Sequence, residues 1–384
     1  MKDTDLTIKI TTAKDINENQ WNSIITCDNI QFSKEYLHIL ENNLSNKFSY
    51  YYVQVFYSNQ VIATTFFFID NAFTLHGLVE GFFEKVYNRL PVKFKVLFLS
   101  SPVTEYSAIH IHESYMEFEN MIINTVLREL EAFARKSKIT AVVIKDHIKK
   151  YTLEHLDDKY THVHFMPSTF IELDYDSFDS YLMALKKKWR ANIRNKINNR
   201  NPELIVDVLP SEHLSSEDNL RCHDLYIQTM SIQKINREVL SKTYFEECAN
   251  KLGDKCKMII AKYNDKIIGF LQLIINKDNI VSVRMGMDYT YVRDFNLYYH
   301  LIYENIKHCI DGGKKILYIG QTCYRAKLEA GANLLPLHTH FRFMNPLLHK
   351  ALRNTLKEGF KCYSELLFAE NPSDILQKYN LSTY

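Results

Sequence analysis

The amino-acid sequence predicts an α/β fold built from two similar halves. The first observation is a repeated hairpin pattern: residues 57–70 have the sequence YSNQVIATTFFFID and residues 263–276 have YNDKIIGFLQLIIN. Each pattern contains Tyr, a three-residue polar turn, two β-branched residues, a small residue and an apolar strand, which favours strands joined by a tight turn. The second observation is that a strand, a helix and a strand follow each hairpin in the same order. Together they indicate a duplicated domain.

Apolar periodicity places the remaining elements along the chain. After the first hairpin, the predicted elements are a strand at 96–100, a helix near 115–136 and a strand at 140–145. After the second hairpin, they are a strand at 281–287, a helix near 295–310 and a strand at 316–320. A new strand begins at Thr169, just after Met166 and Pro167, so we predict an N-terminal domain at 1–167 and a C-terminal domain at 168–384.

Composition restricts the class of protein. A hydrophobic content of 46% with 24% charged residues is typical of a globular protein with a large core. A net charge of +2 gives no overall attraction to DNA or membranes, and neither a secretory signal nor an apolar run of membrane-spanning length is present. Seven cysteines without a CxxC pair fit a reducing compartment. We therefore expect a cytoplasmic protein without a transmembrane segment.

Residues 177–201 (SFDSYLMALKKKWRANIRNKINNRN) predict a basic amphipathic helix. One apolar stripe would be buried, while Lys187, Arg190 and Arg194 fall on the opposite face at about 100° per residue. These cations could form a solvated face near the helix C-terminus. Alternatively, they could bind phosphates of CoA, of a nucleotide-linked substrate or of a tRNA acceptor end, because guanidinium groups suit phosphate oxygens.

Residues 316–343 predict a break at the edge of a sheet. A buried strand at 316–319 is followed by the polar residues 320–322, a short helix that carries Lys327, a stop at Gly331 and another strand. A strand that ends at such a break leaves backbone groups unpaired at a sheet edge. We expect neighbouring strands to part near Gly320, with Lys327 facing the opening.

Several motifs of the C-terminal half resemble the Fem-type branch of the GNAT superfamily of acyl-CoA N-acyltransferases. They are KKKWRANIRNKI after Tyr181 and Leu182, MGMDY at 285–289, LYYHLIYENIKHCIDGG at 297–313 and GQTCYRAKLEAGA at 320–332. The resemblance implies two tandem GNAT domains, each a mixed, mostly antiparallel sheet flanked by helices. It also implies transfer of an acyl group to an amine, with the donor thioester seated in the gap between the parted strands.

The resemblance does not fix the acyl donor. Ordinary GNAT enzymes carry a glycine-containing pyrophosphate loop after their fourth strand, but the stretch MGMDYTYVRDFN at 285–296 lacks it, as does the Fem-type branch. We expect a small-molecule primary amine as acceptor and acyl-CoA or an acyl-carrier protein as co-substrate, without a permanently bound cofactor. Two alternatives remain: an aminoacyl-tRNA-dependent transferase acting on a cell-wall precursor, and a non-catalytic binding module on the same scaffold. The absence of a heptad pair in 211–250 argues against the coiled-coil arm that Fem-type enzymes often carry.

Acyl transfer to an amine needs a proton acceptor, donors for an oxyanion and a proton for the leaving group. Lys327 matches the lysine of the Fem-type motif and would stabilise the oxyanion, unless it is a solvated lysine that pairs with Glu329. Asp288 would accept the amine proton or hold the ammonium. Strand alternation places Asp288 on one face with Ser282 and with Arg284, a candidate substrate-binding residue. An ion pair between Arg284 and Asp288 is the structural alternative.

Other candidates come from polar and aromatic residues near these motifs. Tyr298, Tyr299 and Tyr324 could donate to the leaving group or line the substrate site, although a chain with 25 tyrosines also places many in its core. Gln321 could hold substrate or cap the following helix. Three His-x-His pairs occur at 110/112, 162/164 and 338/340, and because no further ligand accompanies them we predict no metal site. His338 is a candidate general base, because its strand follows the helix of Lys327.

Overall fold

The structure is a computed structural model that describes residues 5–25, 29–44, 46–74, 93–106, 109–148, 159–164, 166–232 and 238–368. Its strands are β1 Leu6–Thr11, β2 Phe48–Tyr57, β3 Gln60–Phe73, β4 Phe94–Leu99, β5 His110–Ile111, β6 Ala141–His147, β7 Thr161–His164, β8 Ser168–Glu172, β9 Ile205–Pro210, β10 Cys256–Tyr263, β11 Lys266–Ile275, β12 Asn279–Met287, β13 Ile316–Tyr318, β14 Asn333–Leu335 and β15 His338–Phe343. Its α-helices are α1 Glu18–Asn22, α2 Lys34–Leu44, α3 Glu119–Lys136, α4 Phe178–Ala184, α5 Lys187–Asn198, α6 Ser216–Ile232, α7 Tyr244–Leu252, α8 Leu297–Asp311, α9 Tyr324–Glu329 and α10 Pro346–Phe368.

One compact unit comprises Met1–Thr26, Leu44–Pro167 and Pro336–Tyr384. Its sheet has the order β1-β2-β3-β4-β6-β15-β7, with β5 paired to β3. Strands β4 and β6 are parallel and the other pairs are antiparallel. Helix α3 precedes β6 and buries its apolar side chains against the sheet in one core cluster. A parallel pair needs such a crossover connection.

The second unit comprises Cys27–Asn43 and Ser168–Leu335. Its sheet has the order β14-β8-β13-β12-β11-β10-β9, and only the pair β12 and β13 is parallel. Helices α4 and α8 contribute to the core on one face. On the other face, Phe245 of α7 packs edge-on against Phe270 of β11. The predicted mixed, mostly antiparallel sheets with flanking helices are therefore confirmed in both units.

The structure confirms both predicted hairpins. The residue pairs that close them are Tyr57 with Gln60 and Tyr263 with Lys266, so each turn has two residues rather than three. Both central residues of each turn, Ser58-Asn59 and Asn264-Asp265, have positive φ, as a type I′ turn requires. The register shifts at Val55/Phe56 in one hairpin and at Ala261/Lys262 in the other. A bulge at the same distance from the turn supports duplication.

Neither compact unit is one continuous segment of the chain. The division between Pro167 and Ser168 coincides with the predicted domain boundary, but residues 27–43 belong to the second unit and residues 336–384 to the first. Strand β15 occupies the position in the first sheet that β8 occupies in the second, beside the parallel pair. The compact units therefore differ from the contiguous domains 1–167 and 168–384. Sequence order alone could not reveal this, because a strand pairs where its edges and side chains fit.

The predicted helix at 177–201 is interrupted. Helix α4 begins with a capping box of Ser177 and Ser180, and the backbone becomes extended at Leu185 and Lys186 before α5 starts. Only Ile193 of α5 is buried, so the predicted apolar stripe does not continue through the basic segment. The prediction of a single helix is wrong, because hydrogen bonds from Arg190 to the carbonyl oxygens of Met183 and Leu185 outweigh the local helical pattern at the interruption.

The described helices include none with both the length and the apolar character required to cross a membrane.

Candidate functional site

Strands β12 and β13 part in the second unit. They pair in parallel at Asn279 with Ile316, Ile280 with Leu317 and Val281 with Tyr318, and their pairing ends there. Strand β12 continues to Met287 while paired to β11 on its other edge. The N–H of Met287 is bound by the hydroxyl of Thr229 on α6 at 3.2 Å. Between these points, the edge of β12 has no strand partner within the described chain, as the break at Gly320 predicted.

A bulge in β12 decides which side chains face each side of the sheet. Gln272 of β11 pairs with Arg284 and Leu273 pairs with Ser282, so Val283 is an extra residue. As a result, Ser282 accepts a hydrogen bond from Asn305 of α8 at 2.9 Å, whereas Arg284 faces the tyrosines of α2, α6 and α7. The prediction that Ser282 shares a face with Arg284 is therefore wrong, because the bulge reverses the alternation.

Lys327 lies on α9 beside the opening. Its side chain is buried, with a relative exposure of 4%. The ammonium donates to the carbonyl oxygens of Gly320 at 2.9 Å and Gln321 at 2.7 Å. Thr169 of β8 also donates to the Gly320 oxygen. A buried ammonium needs such partners, so Lys327 is not the solvated lysine of the structural alternative; it fixes the loop at the end of β13.

The C-terminal end of α9 is held by α4 and α5. Tyr181 donates to the carbonyl oxygen of Ala330. Gly331 has φ +83°, and a Cβ there would lie 2.7 Å from Leu185 Cδ2. Glu329, which could have paired with Lys327, accepts instead from Asn192 Nδ2 at 3.1 Å and pairs with Arg325 at 3.3 Å. These contacts set the position of α9, and hence of Lys327.

Three of the candidate tyrosines lie beside the opening. Tyr298 is the second residue of α8, and burial together with the neighbouring Cys323 thiol raises the pKa of its hydroxyl well above the ordinary value. The Lys196 ammonium lies over the ring of Tyr299, 4.2 Å from its centroid. Tyr324 is buried at the start of α9. Because a hydroxyl with a raised pKa stays protonated, Tyr298 is available as a hydrogen-bond donor.

Asp288 directly follows β12, at the end of this strand that lies away from its pairing with β13. It pairs with Arg221 of α6 at 3.0 Å and accepts from the Thr290 hydroxyl at 2.7 Å. Burial opposes its ionisation, but the hydrogen bonds from Thr290 and Arg221 outweigh this effect and lower its pKa. Val281 and Asp288 are seven residue steps apart, about 20 Å in the extended backbone. The ion pair of Asp288 is with Arg221 and not with Arg284, and it lies at the far end of β12 from the last residue paired with β13.

The basic residues of α5 differ in their contacts and exposure. Arg190 donates to the carbonyl oxygens of Met183 at 2.9 Å and Leu185 at 3.4 Å, at the end of α4. Arg194 contacts the sulfur of Met183 at 3.9 Å and is exposed, as is Lys187. The backbone oxygen of Gln321 accepts a hydrogen bond from the Lys327 ammonium. Cys323, rather than Gln321, occupies the N-cap position of α9.

We expect Arg190→Ala to lower the free energy of unfolding by about 1 kcal/mol, because two carbonyl oxygens lose a charged donor. Arg194→Ala is the matched control and should change it by no more than about 0.5 kcal/mol. Urea denaturation of both variants measures this difference. If the face also binds phosphates, Arg194→Ala weakens binding of the phosphorylated substrate in a salt-dependent way. Unchanged affinity would leave α5 a solvated surface.

His338 lies in the first unit, on β15 between β6 and β7. Its Nδ1 lies 2.8 Å from His162 Nε2, and His340 Nδ1 lies 2.8 Å from His147 Nε2. The four rings stack or tilt against one another, with centroids 4.7–5.8 Å apart. In the described ranges, no group of three or more His, Cys, Asp or Glu side chains has the arrangement of a metal site. His338 and Lys327 belong to different compact units, although only β14 separates their elements in sequence.

The histidine cluster predicts acid sensitivity. Burial, and then the neighbouring His338 and His162, lower the pKa of His147 to about 3. The unfolded chain binds this proton near pH 6.5, so the stabilising contribution is complete above that pH and is lost as the pH falls towards 3. This histidine should cost about 1.4 kcal/mol per pH unit in that range. Urea denaturation at several pH values checks this, and His147→Gln should have a shallower slope. Equal slopes would contradict the assignment.

Three polar residues at the site are absent from the sequence-based candidates: Cys323, Asn192 and Thr169. Cys323 lies within the motif GQTCYRAKLEAGA, so its position at the polar break was a usable signal. Asn192 and Thr169 gave no such signal, because their partners Glu329 and Gly320 are 137 and 151 residues away in the chain.

Comparison with known proteins identifies the fold and the family. The solved structure of FemX has 10% sequence identity and a TM-score of 0.60, over 90% of this chain and 100% of that chain. A tandem GNAT protein from the clavulanic acid biosynthesis pathway has 8% identity and a TM-score of 0.53, over 89% and 99%. L-PGS from Bacillus licheniformis has 12% identity and a TM-score of 0.52, over 84% and 96%. These similarities confirm the tandem GNAT fold.

No curated protein sequence matches the chain significantly. A family model does match, over residues 12–367, and it is described as peptidoglycan biosynthesis/recognition. This match covers nearly the whole chain, including both units and the opening between β12 and β13. The chain therefore belongs to the FemAB-like family.

Proposed function

We propose that the chain is an N-acyltransferase that moves an acyl group from a thioester donor to a primary amine. The observation that carries the proposal is the opening between β12 and β13, where the buried ammonium of Lys327 holds the loop at Gly320 and Gln321. FemAB-like membership and the GNAT fold support the broader class of acyl or aminoacyl transfer. The proposed co-substrate is acyl-CoA or an acyl-carrier protein, without a resident cofactor, and the proposed location is the cytoplasm.

Two of the groups that acyl transfer to an amine requires, an oxyanion stabiliser and a hydrogen-bond donor, are proposed for the opening. The edge of β12 presents backbone groups that an extended donor could pair with, as strands do at any exposed edge. The positive charge of Lys327 would stabilise the negative charge that develops on the carbonyl oxygen. The protonated hydroxyl of Tyr298 would donate a hydrogen bond to the oxyanion or to the leaving group. Arg194 and Lys187 would contact phosphates of the donor.

A second candidate keeps the chemistry but changes the donor and acceptor. The family description, peptidoglycan biosynthesis/recognition, favours transfer of an aminoacyl group to a cell-wall precursor. The segment 211–250 argues against the coiled-coil arm of Fem-type enzymes. In its described part, Thr229 of α6 binds β12, and Phe245 of α7 packs against β11. Both helices thus cover their own sheet. The thioester donor therefore remains our first proposal.

Thermal-shift and turnover measurements separate these candidates. The probes are octanoyl-CoA, free CoA, an acylated carrier protein, alanyl-tRNA and a UDP-linked muropeptide. A donor at 100 times its Kd should stabilise the protein by about 2.7 kcal/mol, or roughly 5–10 °C in Tm. Stabilisation by octanoyl-CoA but not free CoA, followed by acylation of an amine, supports the proposal. Stabilisation only by alanyl-tRNA and the muropeptide supports the second candidate, and binding without turnover supports a binding module.

A further inference from the structure

Asn305 is a buried amide in an otherwise apolar surface of α8. Its relative exposure is 0%, and its neighbours Leu301, Ile302 and Ile306 are buried side chains of the core. The Asn305 Nδ2 donates to Ser282 Oγ at 2.9 Å, whereas its Oδ1 has no hydrogen-bond partner among the described residues. A buried polar group that lacks part of its hydrogen bonds is costly. Packing alone therefore does not account for an asparagine at this position.

Ser282 lies at the point where β12 and β13 part. Val281 is the last residue of β12 that pairs with β13, through Tyr318, so Ser282 is the first residue of the unpaired edge. Its side chain is half-buried, and its bond from Asn305 is the one hydrogen bond it makes within the described chain. A hydroxyl that accepts from an amide keeps its own hydrogen for a second partner. The Ser282 hydroxyl is thus a positioned donor at the opening.

This hydroxyl lies on the side of the sheet that α8 and α9 cover. Ile280 and Ser282 are two residues apart on β12 and therefore share a face. Ile280 belongs to the same core cluster as Ile306 of α8 and Ala330 at the C-cap of α9. Helix α9 carries Lys327. The Ser282 hydroxyl and the helix of Lys327 are therefore on the same side of the sheet beside the opening.

We propose that Ser282 donates a hydrogen bond to the carbonyl oxygen of the donor thioester, and that Asn305 is the positioning residue that orients its hydroxyl. This inference rests on the proposed N-acyltransferase function and adds a neutral donor to the charge of Lys327. When the amine nitrogen attacks the carbonyl carbon, the oxygen carries a negative charge until the bond to the donor sulfur breaks. The hydrogen bond from Ser282 strengthens with that charge, whereas Ser282 itself forms no covalent bond and transfers no proton.

The incomplete hydrogen bonding of Asn305 separates the effects on stability and on catalysis. Ser282→Ala leaves the whole Asn305 amide buried without a partner, so we expect the Tm to fall by about 2–5 °C. The double variant Ser282→Ala/Asn305→Leu removes the polar pair, and it should be at least as stable as the wild type because an apolar pair needs no hydrogen bonds. Both variants lack the donor, so both should be slow. A purely structural pair would lose activity only in proportion to stability.

The binding test compares octanoyl-CoA with S-octyl-CoA, a thioether that lacks the carbonyl oxygen. Isothermal titration calorimetry gives the Kd of each compound for the full-length wild type and for Ser282→Ala. We expect Ser282→Ala to weaken octanoyl-CoA by about three- to tenfold, the loss of one hydrogen bond, and to leave S-octyl-CoA unchanged. Ser282→Thr keeps the hydroxyl and should restore most of the affinity.

The kinetic test uses octanoyl-CoA with an amine that the wild type acylates. In Ser282→Ala and in the double variant, kcat should fall by about 10- to 100-fold, because an oxyanion donor is lost. Ser282→Thr should keep most of the rate. Ser231→Ala is the matched control, since the Ser231 hydroxyl of α6 donates to the Gln228 oxygen at 2.7 Å and is exposed. This control should change neither kcat nor the Kd of either compound.

The outcomes separate this inference from the proposed function. If the wild type acylates an amine from octanoyl-CoA and Ser282→Ala keeps the wild-type kcat and Kd, the role of Ser282 is wrong and the transferase stands. An equal loss of affinity for S-octyl-CoA also overturns the inference, because the bond would then not be to the carbonyl oxygen. If the wild type neither binds octanoyl-CoA nor acylates any amine from it, the thioester donor itself is wrong, and the role of Ser282 is overturned with it.

Discussion

Lys327→Met is expected to lower kcat by about 10²- to 10³-fold, the loss that follows removal of one group stabilising an oxyanion. The same change removes the donor from the Gly320 and Gln321 oxygens. We therefore also expect the free energy of unfolding to fall by about 2–4 kcal/mol, because two carbonyl oxygens lose their hydrogen bonds from a buried ammonium. Steady-state kinetics with the donor identified by thermal shift, together with urea denaturation, measure both effects.

Lys314→Met is the matched control. Lys314 also donates to two backbone oxygens, those of Asn276 at 2.9 Å and Lys277 at 2.8 Å. It lies before β13, at the end where Asn279 and Ile316 remain paired. Its replacement should lower stability, because two carbonyl oxygens lose a donor, but should leave kcat nearly unchanged. If both variants lose activity in proportion to stability, Lys327 has only a structural role.

Gly286→Ala is expected to lower the free energy of unfolding by about 3 kcal/mol, the upper part of the range for overpacking. A Cβ at Gly286 would lie 2.6 Å from the Tyr226 nitrogen and 2.7 Å from the Leu225 carbonyl carbon, both in the backbone of α6. Backbone atoms cannot move aside as a flexible side chain can. Helix α6 must therefore shift away from β12, next to the opening. Urea denaturation measures the loss.

Gly312→Ala is the control for the loss of a glycine. Gly312 lies at the C-cap of α8 with φ −83°, and the nearest atom to its Cβ would be the His308 oxygen at 3.1 Å. This variant should change stability by less than about 1 kcal/mol, because its backbone conformation suits alanine. If Gly286→Ala unfolds at the same urea concentration as Gly312→Ala, α6 does not pack on β12 as closely as described.

Much of the fold could be predicted from local patterns in the sequence. The two hairpins follow from polar turns between β-branched runs, and the structure adds that Ser58-Asn59 and Asn264-Asp265 form the turns. Helix α8 and strand β13 were predicted to within two residues, because apolar periodicity and Gly312 mark their ends. The break at Gly320 was recognisable for the same reason. These features depend on residues close together in the chain.

Other features depended on contacts that local patterns do not encode. The bulge at Val283 turned Ser282 towards α8, although strict alternation placed it with Arg284. The interruption at Leu185 split the basic helix, because Arg190 replaces helical donors at the end of α4. In each case a hydrogen bond or packing contact outweighed a local preference.

The sequence by itself determined that the chain has duplicated hairpins, a strand break at Gly320 and a lysine, Lys327, on the short helix that follows the break. Tertiary structure alone decided that Lys327 is buried against the Gly320 and Gln321 oxygens and that Asp288 pairs with Arg221. It also decided that His338 joins the other sheet. The physical reason is that a pattern fixes which faces are apolar, whereas the partner of a buried charge or a strand edge depends on what the folded chain brings beside it.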